Sequence, residues 1–270
     1  MSFDLDAYLA RLTLGARPSP DAEGLTRLQR AHRQAIPFEN LDVILGRGIR
    51  IDSDAVFAKL VTARRGGYCF EHNRLFGDAL AALGFEARPV LARVWMMDPP
   101  ATPGLTHTLS LVTIDGQGWI ADPGFGGSYT PPMPVIDGAT AEAPDGAKFR
   151  LVRDATYGWM LSRDANDAGG EGWHDQYSFT LAQVWDADLA MGNHWCATSS
   201  DSRFTTSRIV SVVLPNGFAS LNGTAYHRRN GAEETRAEIS DPRVYRMRLS
   251  MMFGLELSTD EVAGLGLFGR

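Results

Sequence analysis

Arg64-Arg65-Gly66-Gly67-Tyr68-Cys69-Phe70-Glu71-His72-Asn73 is the stretch around which the rest of the chain can be ordered. Two glycines interrupt one helical pattern, and another starts at or just after the cysteine. A thiol at a helix N-terminus faces unpaired N–H groups and the positive end of the helix dipole. Both favour thiolate, the nucleophilic form. Most free cysteines, however, are small buried hydrophobes. Position alone leaves Cys69 open between covalent chemistry and packing.

Upstream of this stretch the periodicity is helical. Leu5, Tyr8, Leu9 and Leu12 recur at helical spacing, with Gly15 as a stop. Ser19-Pro20 is expected to cap a second helix, with Leu25, Leu28 and His32 on one face. His32 is expected at the core edge or surface. Asp52 or Ser53 caps a helix carrying Val56, Phe57, Leu60 and Val61. Between these helices, Pro37-Phe38-Glu39-Asn40-Leu41 is either a packed corner or a pocket wall, and the corner is favoured. The Cys69 helix carries Phe70, Leu75, Phe76, Leu80 and Leu83 and ends at Gly84.

From about residue 87 the period changes to that of strands. Val90 to Trp95 is one strand. Thr106 to Ile114 alternates, with His107, Leu109 and Leu111 on one side and Thr108, Ser110 and Val112 on the other. Asp115-Gly116-Gln117-Gly118 turns into a short strand, Trp119 to Asp122. Phe149 to Leu161 and Tyr177 to Trp185 are further strand candidates, and 162–172 is a loop. Ile209 to Leu214 and Gly217 to Ala225 form a hairpin across Pro215-Asn216-Gly217. Val244 to Phe253 is a helix ended by Gly254, and Ser258-Thr259-Asp260-Glu261 caps a last short one. The fold class is therefore α+β.

The chain has 270 residues and a net charge of −6, which argues against wholesale binding of nucleic acid or an anionic membrane. Two cysteines, Cys69 and Cys196, make no disulfide framework and point to a reducing cytoplasm. Cys196 is read as structural. The N-terminus lacks a signal-peptide pattern, and no run of 18 or more apolar residues is present. No metal is expected, since CxxC and HExxH patterns are missing.

A cysteine nucleophile needs a base, and the base needs an orienting partner. His72 lies three residues after Cys69 but tends to point along its own helix. His174 and His227 fall in polar loops, and His194 is hard to place. His107 shares strand parity with apolar neighbours, so it points inward and requires a partner. Asp122, at the end of the next antiparallel strand, is the best one, although it could equally cap the turn at Pro123-Gly124. Gly124, Gly126 and Gly127 flank Phe125 and could present N–H groups to an anion such as a pyrophosphate.

Pro37-Phe38-Glu39-Asn40-Leu41, the Arg64–Asn73 stretch, Thr106-His107, Ala121-Asp122-Pro123-Gly124-Phe125-Gly126 and Asn193-His194-Trp195 occur in this order. Together they resemble the arylamine N-acetyltransferases of bacterial type. The resemblance covers most of the chain and is weakest in 130–175 and in the last 40 residues. It implies an N-terminal helical bundle (1–86), a central β-barrel-like domain (87–190) and a C-terminal α/β lid (191–270), around a cysteine-protease-like Cys-His-Asp core. The triad falls on Cys69, His107 and Asp122. The implied chemistry is ping-pong transfer of an acetyl group from acetyl-CoA, through a thioester, to an arylamine, hydrazine or related amine, as in xenobiotic metabolism. The resemblance places Phe38, Phe125 and Phe204 around the amine, and Gly124, Gly126 and Gly127 against CoA. Thr206, Ser207, Arg228 and Arg229 are weaker candidates for CoA. Arg64 resembles a structural position that ties the nucleophile helix to neighbouring backbone. Pro123 departs from the pattern, where a valine-like residue is common; it removes an N–H donor at the edge of the site. An amide synthase of ansamycin-type polyketide biosynthesis shares scaffold and triad and stands as the alternative. A thiol hydrolase and a non-catalytic binding module are more distant readings. Oligomeric state is left open.

Overall fold

A computed structural model describes residues 3–96, 99–164 and 172–269. The N-terminal part is helical: α1 (Leu5–Arg11), α2 (Ala22–Ala35), α3 (Leu41–Ile44), α4 (Ser53–Phe57) running into a π-helical turn (Ala58–Thr62), and α5 (Cys69–Ala82), with a two-residue strand β1 (Phe38–Glu39) between α2 and α3. Side-chain caps set the starts. Asp4 accepts from Ala7 N–H at 2.9 Å and Asp52 from Ala55 N–H at 3.0 Å. The cap of α2 is Asp21, which accepts from Gly24 N–H at 2.7 Å, and not Ser19. The short carboxylate suits the cap geometry, while the Ser19 carbonyl lies where a Cβ on Gly24 would be, 1.9 Å away. The expected apolar positions of α1, α2, α4 and α5, Phe70 apart, form one core with Phe85, Val112, Ile114 and Ala121, while Phe70 packs with Phe38, Tyr68 and Cys69.

The middle is a sheet of eight antiparallel strands: β2 (Glu86–Val94), β3 (His107–Ile114), β4 (Gln117–Ala121), β5 (Met133–Pro134), β6 (Ala139–Glu142), β7 (Lys148–Asp154), β8 (Gly158–Asp164) and β9 (Trp173–Phe179). Their order is β5-β4-β3-β2-β9-β8-β7-β6, and the edge strands β5 and β6 approach each other, so the sheet nearly closes into a barrel. Strand parity holds on β3. Leu109 and Leu111 pack inside the barrel with Val90, Tyr177 and Phe179, whereas Val112 and Ile114 pack against the helices. Phe149 to Leu161 is two strands, not one. Asp154 Oδ1 accepts from the N–H groups of Thr156 and Tyr157, and Gly158 supplies a φ of +87°, which together reverse the chain. The second expected strand ends at Phe179 rather than Trp185. Of the loop expected at 162–172, Ser162–Asp164 belongs to β8, and 165–171 lies outside the described residues.

The C-terminal part holds α6 (Asp186–Thr198), α7 (Arg203–Thr206), β10 (Ile209–Leu214), β11 (Gly217–Asn222), β12 (Ala225–Asn230), β13 (Glu233–Glu238), α8 (Pro242–Phe253) and α9 (Thr259–Gly264). The hairpin and both final helices lie where the sequence puts them. Asp241 caps α8, Gly254 ends it at φ +64°, and Ser258 with Glu261 forms the capping box of α9. Gly223, at φ +58°, turns the chain into β12, so His227 is on a strand; His174 likewise sits on β9 and His194 on α6. The sheet order is β1-β10-β11-β12-β13, so Phe38 and Glu39 from the helical part pair with Ser211 and Val210. The fold is α+β, as expected. No helix among the described residues is long and apolar enough to cross a membrane.

His32 is fully buried, contrary to its expected place at the core edge. Tyr8 Oη lies 2.7 Å from His32 Nδ1, His32 Nε2 lies 2.8 Å from His72 Nδ1, and His72 Nε2 lies 3.2 Å from the Pro37 carbonyl. A carbonyl only accepts, so His72 carries its proton on Nε2 and accepts at Nδ1. His32 therefore donates from Nε2 and accepts from the Tyr8 hydroxyl. Burial holds both rings neutral, pushing His72 from 6.5 down to about 3 and His32 well below its ordinary value. The unfolded chain thus binds protons that the folded chain refuses. This stability is fully present above about pH 6.5 and is lost as pH falls toward 3. Burial pushes the Asp122 carboxyl up, but His107 and the N–H donors around it outweigh this and hold it below its ordinary value. Urea midpoints measured between pH 7 and pH 4 should fall less steeply in His72→Gln than in the unaltered protein; parallel slopes would contradict the assignment.

Candidate active site

Gly66 and Gly67 are required by space, not by backbone angle. A Cβ on Gly66 would stand 2.3 Å from the Pro37 carbonyl oxygen, and one on Gly67 would stand 2.7 Å from Glu71 Oε2. The close approach lets Glu71 reach back and accept from Tyr68 N–H at 3.1 Å, closing the first turn of α5. Lys59 donates to the other oxygen of Glu71 at 2.7 Å. A structural tie is made by Arg65, next to Arg64, and it runs to carboxylates and not to backbone: Arg65 donates to Glu39 at 2.8 Å and Asp42 at 3.0 Å. Arg64 itself is exposed, at φ +53°.

Cys69, His107 and Asp122 meet where α5, β3 and the end of β4 converge. Ser110 pairs with Ala121, so Asp122 continues opposite Leu109 and lies diagonal to His107 on the same face. His107 Nε2 is 2.7 Å from Asp122 Oδ2, and Cys69 lines the same cleft as His107. With Nε2 on the carboxylate, Nδ1 is the nitrogen left to serve the thiol. Asp122 Oδ1 accepts from Gly124 N–H at 2.9 Å and from Asn73 Nδ2 at 3.3 Å. The Asp122 N–H donates to Gln29 at 2.7 Å, and Arg33 donates to the Gly127 carbonyl at 3.0 Å, so one face of α2 holds the glycine loop in place.

Burial pushes the Cys69 thiol well above its ordinary value, with Cys196 and Asp122 adding to the effect. The N–H groups of Phe70 and Thr108 act the other way but do not outweigh burial. The helix N-terminus alone therefore does not make a resting thiolate. Cys196 is buried, lines the cleft, and donates to the Thr106 carbonyl at 3.3 Å.

Phe38, Phe125 and Phe204 all border the cleft above Cys69. Phe125 meets the His107 ring edge-on at 5.2 Å, Phe204 meets Tyr68 edge-on at 5.2 Å, and Phe38 lies tilted against Phe204 at 6.1 Å. The Pro37–Leu41 segment is both of its alternatives, with Phe38 as wall and Asn40 as corner. Asn40 Nδ2 donates to the carbonyls of Phe204 and Ser207 at 2.7 Å each, and its Oδ1 accepts from Ile209 N–H at 2.8 Å. Trp195 and Met96 also border the cleft, and both are partly exposed. The same three phenylalanines continue into a groove along Gly126, Gly127, Arg163, Arg203 and Ser211.

Two of the glycine N–H groups expected to face an anion have partners within the protein. Gly124 N–H bonds Asp122, and Gly127 N–H bonds Ser211 Oγ at 3.0 Å. Gly126 serves close packing, since a Cβ there would touch the Phe38 ring at 3.3 Å, whereas Gly127 faces open space and supplies a φ of +60°. Arg229 pairs with Asp145 and Arg228 with Glu233, and neither borders the groove. Thr206 donates to the Ser202 carbonyl. Asn40, Gln29, Arg33 and Asn73 went unrecognised in the sequence because their partners are far along the chain. Asn40 alone had a signal, an amide beside an aromatic in a segment that breaks a helix.

Gly124 lies hard against α5, where an added Cβ would meet Asn73 Nδ2 at 2.4 Å and the Cys69 backbone at 2.9 Å. Helix backbone yields poorly, so Gly124→Ala should cost roughly 1–3 kcal/mol in urea unfolding. An unchanged midpoint would show that the loop has room to spare.

Residues 21–262 match the model of a family described as N-acetyltransferase. The arylamine N-acetyltransferase / N-hydroxyarylamine O-acetyltransferase of Salmonella typhimurium is 38% identical over 94% of this chain and 90% of its own length. The arylamine N-acetyltransferase of Mycolicibacterium smegmatis is 35% identical over 100% and 98%. Among solved structures, the Salmonella typhimurium enzyme superposes with a TM-score of 0.91 at 34% identity, covering 97% of each chain. The Mycobacterium marinum enzyme in complex with CoA gives 0.88 at 30%, covering 97% of this chain and 98% of its own. With the expected motifs brought to one cleft and relatives of this kind along its whole length, the chain belongs to the arylamine N-acetyltransferase family, bacterial type.

Proposed function

We propose that this protein transfers an acetyl group from acetyl-CoA to arylamines, hydrazines and related amines by a ping-pong route through an acetyl-Cys69 thioester. The observation that carries the reading is the Asp122–His107 pair at 2.7 Å, set in the cleft that Cys69 borders. The Cys69 proton passes to His107 Nδ1, and Asp122 supports the imidazolium through Nε2. The thiolate attacks the acetyl carbonyl. The C–S bond to CoA breaks, and His107 returns the proton to the departing thiol. An amine nitrogen then attacks the thioester, His107 takes its proton, and Cys69 leaves as thiolate. An arylamine is neutral at pH 7, so its ring needs aromatic walls and no counter-charge.

Phe38, Phe125 and Phe204 are the walls of that slot in this proposal. The CoA carrier is assigned to the groove that continues past Gly126 and Gly127, where Arg163 and Arg203 bring positive charge. Gly124, at the inner end, gives the acetyl group close access to Cys69. The CoA complex of the Mycobacterium marinum relative supports this use of the fold. We further propose three units at 1–86, 87–190 and 191–270, with the second boundary moved ahead of Asp186, since α6 runs across residue 190.

Mass spectrometry after acetyl-CoA addition should show one acetyl adduct on Cys69, discharged by an aniline but persistent without it. No adduct would end the reading, and acyl loading from a carrier protein alone would favour the amide synthase. Cys69→Ser should lose transfer by more than about a thousandfold while keeping its unfolding midpoint, because serine is far less ionised than a thiol beside an imidazole. Phe125→Ser should reorder the preference across a panel of amines more than it alters stability; an unchanged order would count against the slot.

A further inference from the structure

The Tyr8–His32–His72 chain is not used by the acetyl-transfer mechanism, yet it ends beside the slot. Its last acceptor is the carbonyl of Pro37, and the next residue is Phe38. The Phe38 ring lies nearly parallel to His72, 10° apart at a centroid distance of 6.2 Å. His72 stands on α5, one turn from Cys69, so the chain joins the nucleophile's helix to the wall of the amine slot. Each link comes from a different element: Tyr8 from α1, His32 from α2, His72 from α5, and Pro37 just ahead of β1.

We infer that Tyr8, His32 and His72 act as positioning residues that set the distance between Phe38 and Cys69, and so select which aromatic amines fit. This rests on the acetyl-cysteine reading above. The direction of the chain carries the inference. The Pro37 carbonyl fixes the His72 tautomer, which fixes that of His32, which makes Tyr8 the only donor at the far end. Removing the Tyr8 or His32 donor leaves a buried ring nitrogen unpaired, and removing His72 leaves the Pro37 carbonyl with only the longer bond from Gly67 N–H at 3.4 Å, which loosens the segment there. The groups facing the two rings hold the arrangement. The charges of Arg11 and Arg33 act on His32, those of Arg33 and Lys59 act on His72, and the Gly67 carbonyl favours the His72 N–H. These cations disfavour a proton on either imidazole, and a doubly protonated ring would put a donor against a donor.

The test separates the two half-reactions in Tyr8→Phe, His72→Leu and His72→Gln. Loading of Cys69 from acetyl-CoA is followed without amine, and KM is then measured for a substituted aniline. Tyr8→Phe and His72→Leu should raise the aniline KM about fivefold, the worth of one buried hydrogen bond, while loading stays within about twofold. His72→Gln should hold KM near the unaltered value, because an amide donates at one end and accepts at the other. Tyr8→Phe changes no volume in the core and keeps the test open if His72→Leu does not fold. An unmoved KM in Tyr8→Phe, a loss of loading that matches the rise in KM, or a His72→Gln as impaired as His72→Leu would each overturn the inference. Calorimetric binding of the aniline to unacetylated protein reads the slot separately. A protein that never acetylates Cys69 while its variants still lose aniline affinity would fail the mechanism and not the chain.

Discussion

The structure depends on one buried carboxylate. A charge at Asp122 is costly in an interior unless each of its lone pairs finds a donor. The donors come from separate parts of the chain: His107 from a barrel strand, Asn73 from the nucleophile's helix, and Gly124 from the following turn. Gln29 fixes the Asp122 backbone from a second helix, and the buried Arg33 adds positive charge nearby. Helices, barrel and glycine loop must all be in place before this carboxylate is satisfied. The same requirement commits His107 Nε2 to the carboxylate and leaves Nδ1 outside that bond, in the cleft that Cys69 also lines. Stability of the assembly and readiness of the site are thus two readings of one contact.

The behaviour of the thiol follows. A buried sulfur with a carboxylate close by resists ionisation, and the two N–H groups at the helix start relieve this only in part. Ionisation is coupled to the histidine instead of being a standing property of the cysteine. The second thiol, Cys196, uses its hydrogen on the carbonyl next to His107 and so helps hold the strand end that carries the base.

Much of this was legible in the chain. The start of α5 was marked by paired glycines, and β3 by an alternation clean enough to place His107 inside and Val112 outside the barrel. The stop at Gly254 and the capping box at Ser258 marked the last helices, while the Asp241 cap of α8 emerged only from the structure. What stayed hidden has identifiable causes. β13 is exposed along its whole length and carries no apolar alternation. α6 buries Leu189, Asn193 and Cys196 at helical spacing, but the middle position is an amide held by the Tyr68 hydroxyl and the Ile49 carbonyl, so the stripe reads as broken. The turn at Asp154 works through a side chain in place of a glycine-led signal. Within the site, the inward direction of His107 could be read because strand parity is local, while Cys69 and Asp122 stayed open on the residues alone and were chosen through the family resemblance. The supports at Asn40, Gln29 and Arg33 could not be read, because each reaches across much of the chain.

The two-residue strand β1 has a consequence for how the protein is made. Phe38 pairs with Ser211 and is backed by Phe204, so a wall of the cleft is closed by residues synthesised long after the cysteine helix. Contacts of such high sequence separation form late and slow the folding of a chain. As the protein leaves the ribosome, the helical part can bury its own apolar face, but its strand edge at Phe38-Glu39 stays open until β10 arrives. That edge is the segment most exposed to mispairing during synthesis. Its brevity, two residues with a glutamate among them, limits what a foreign strand could grip.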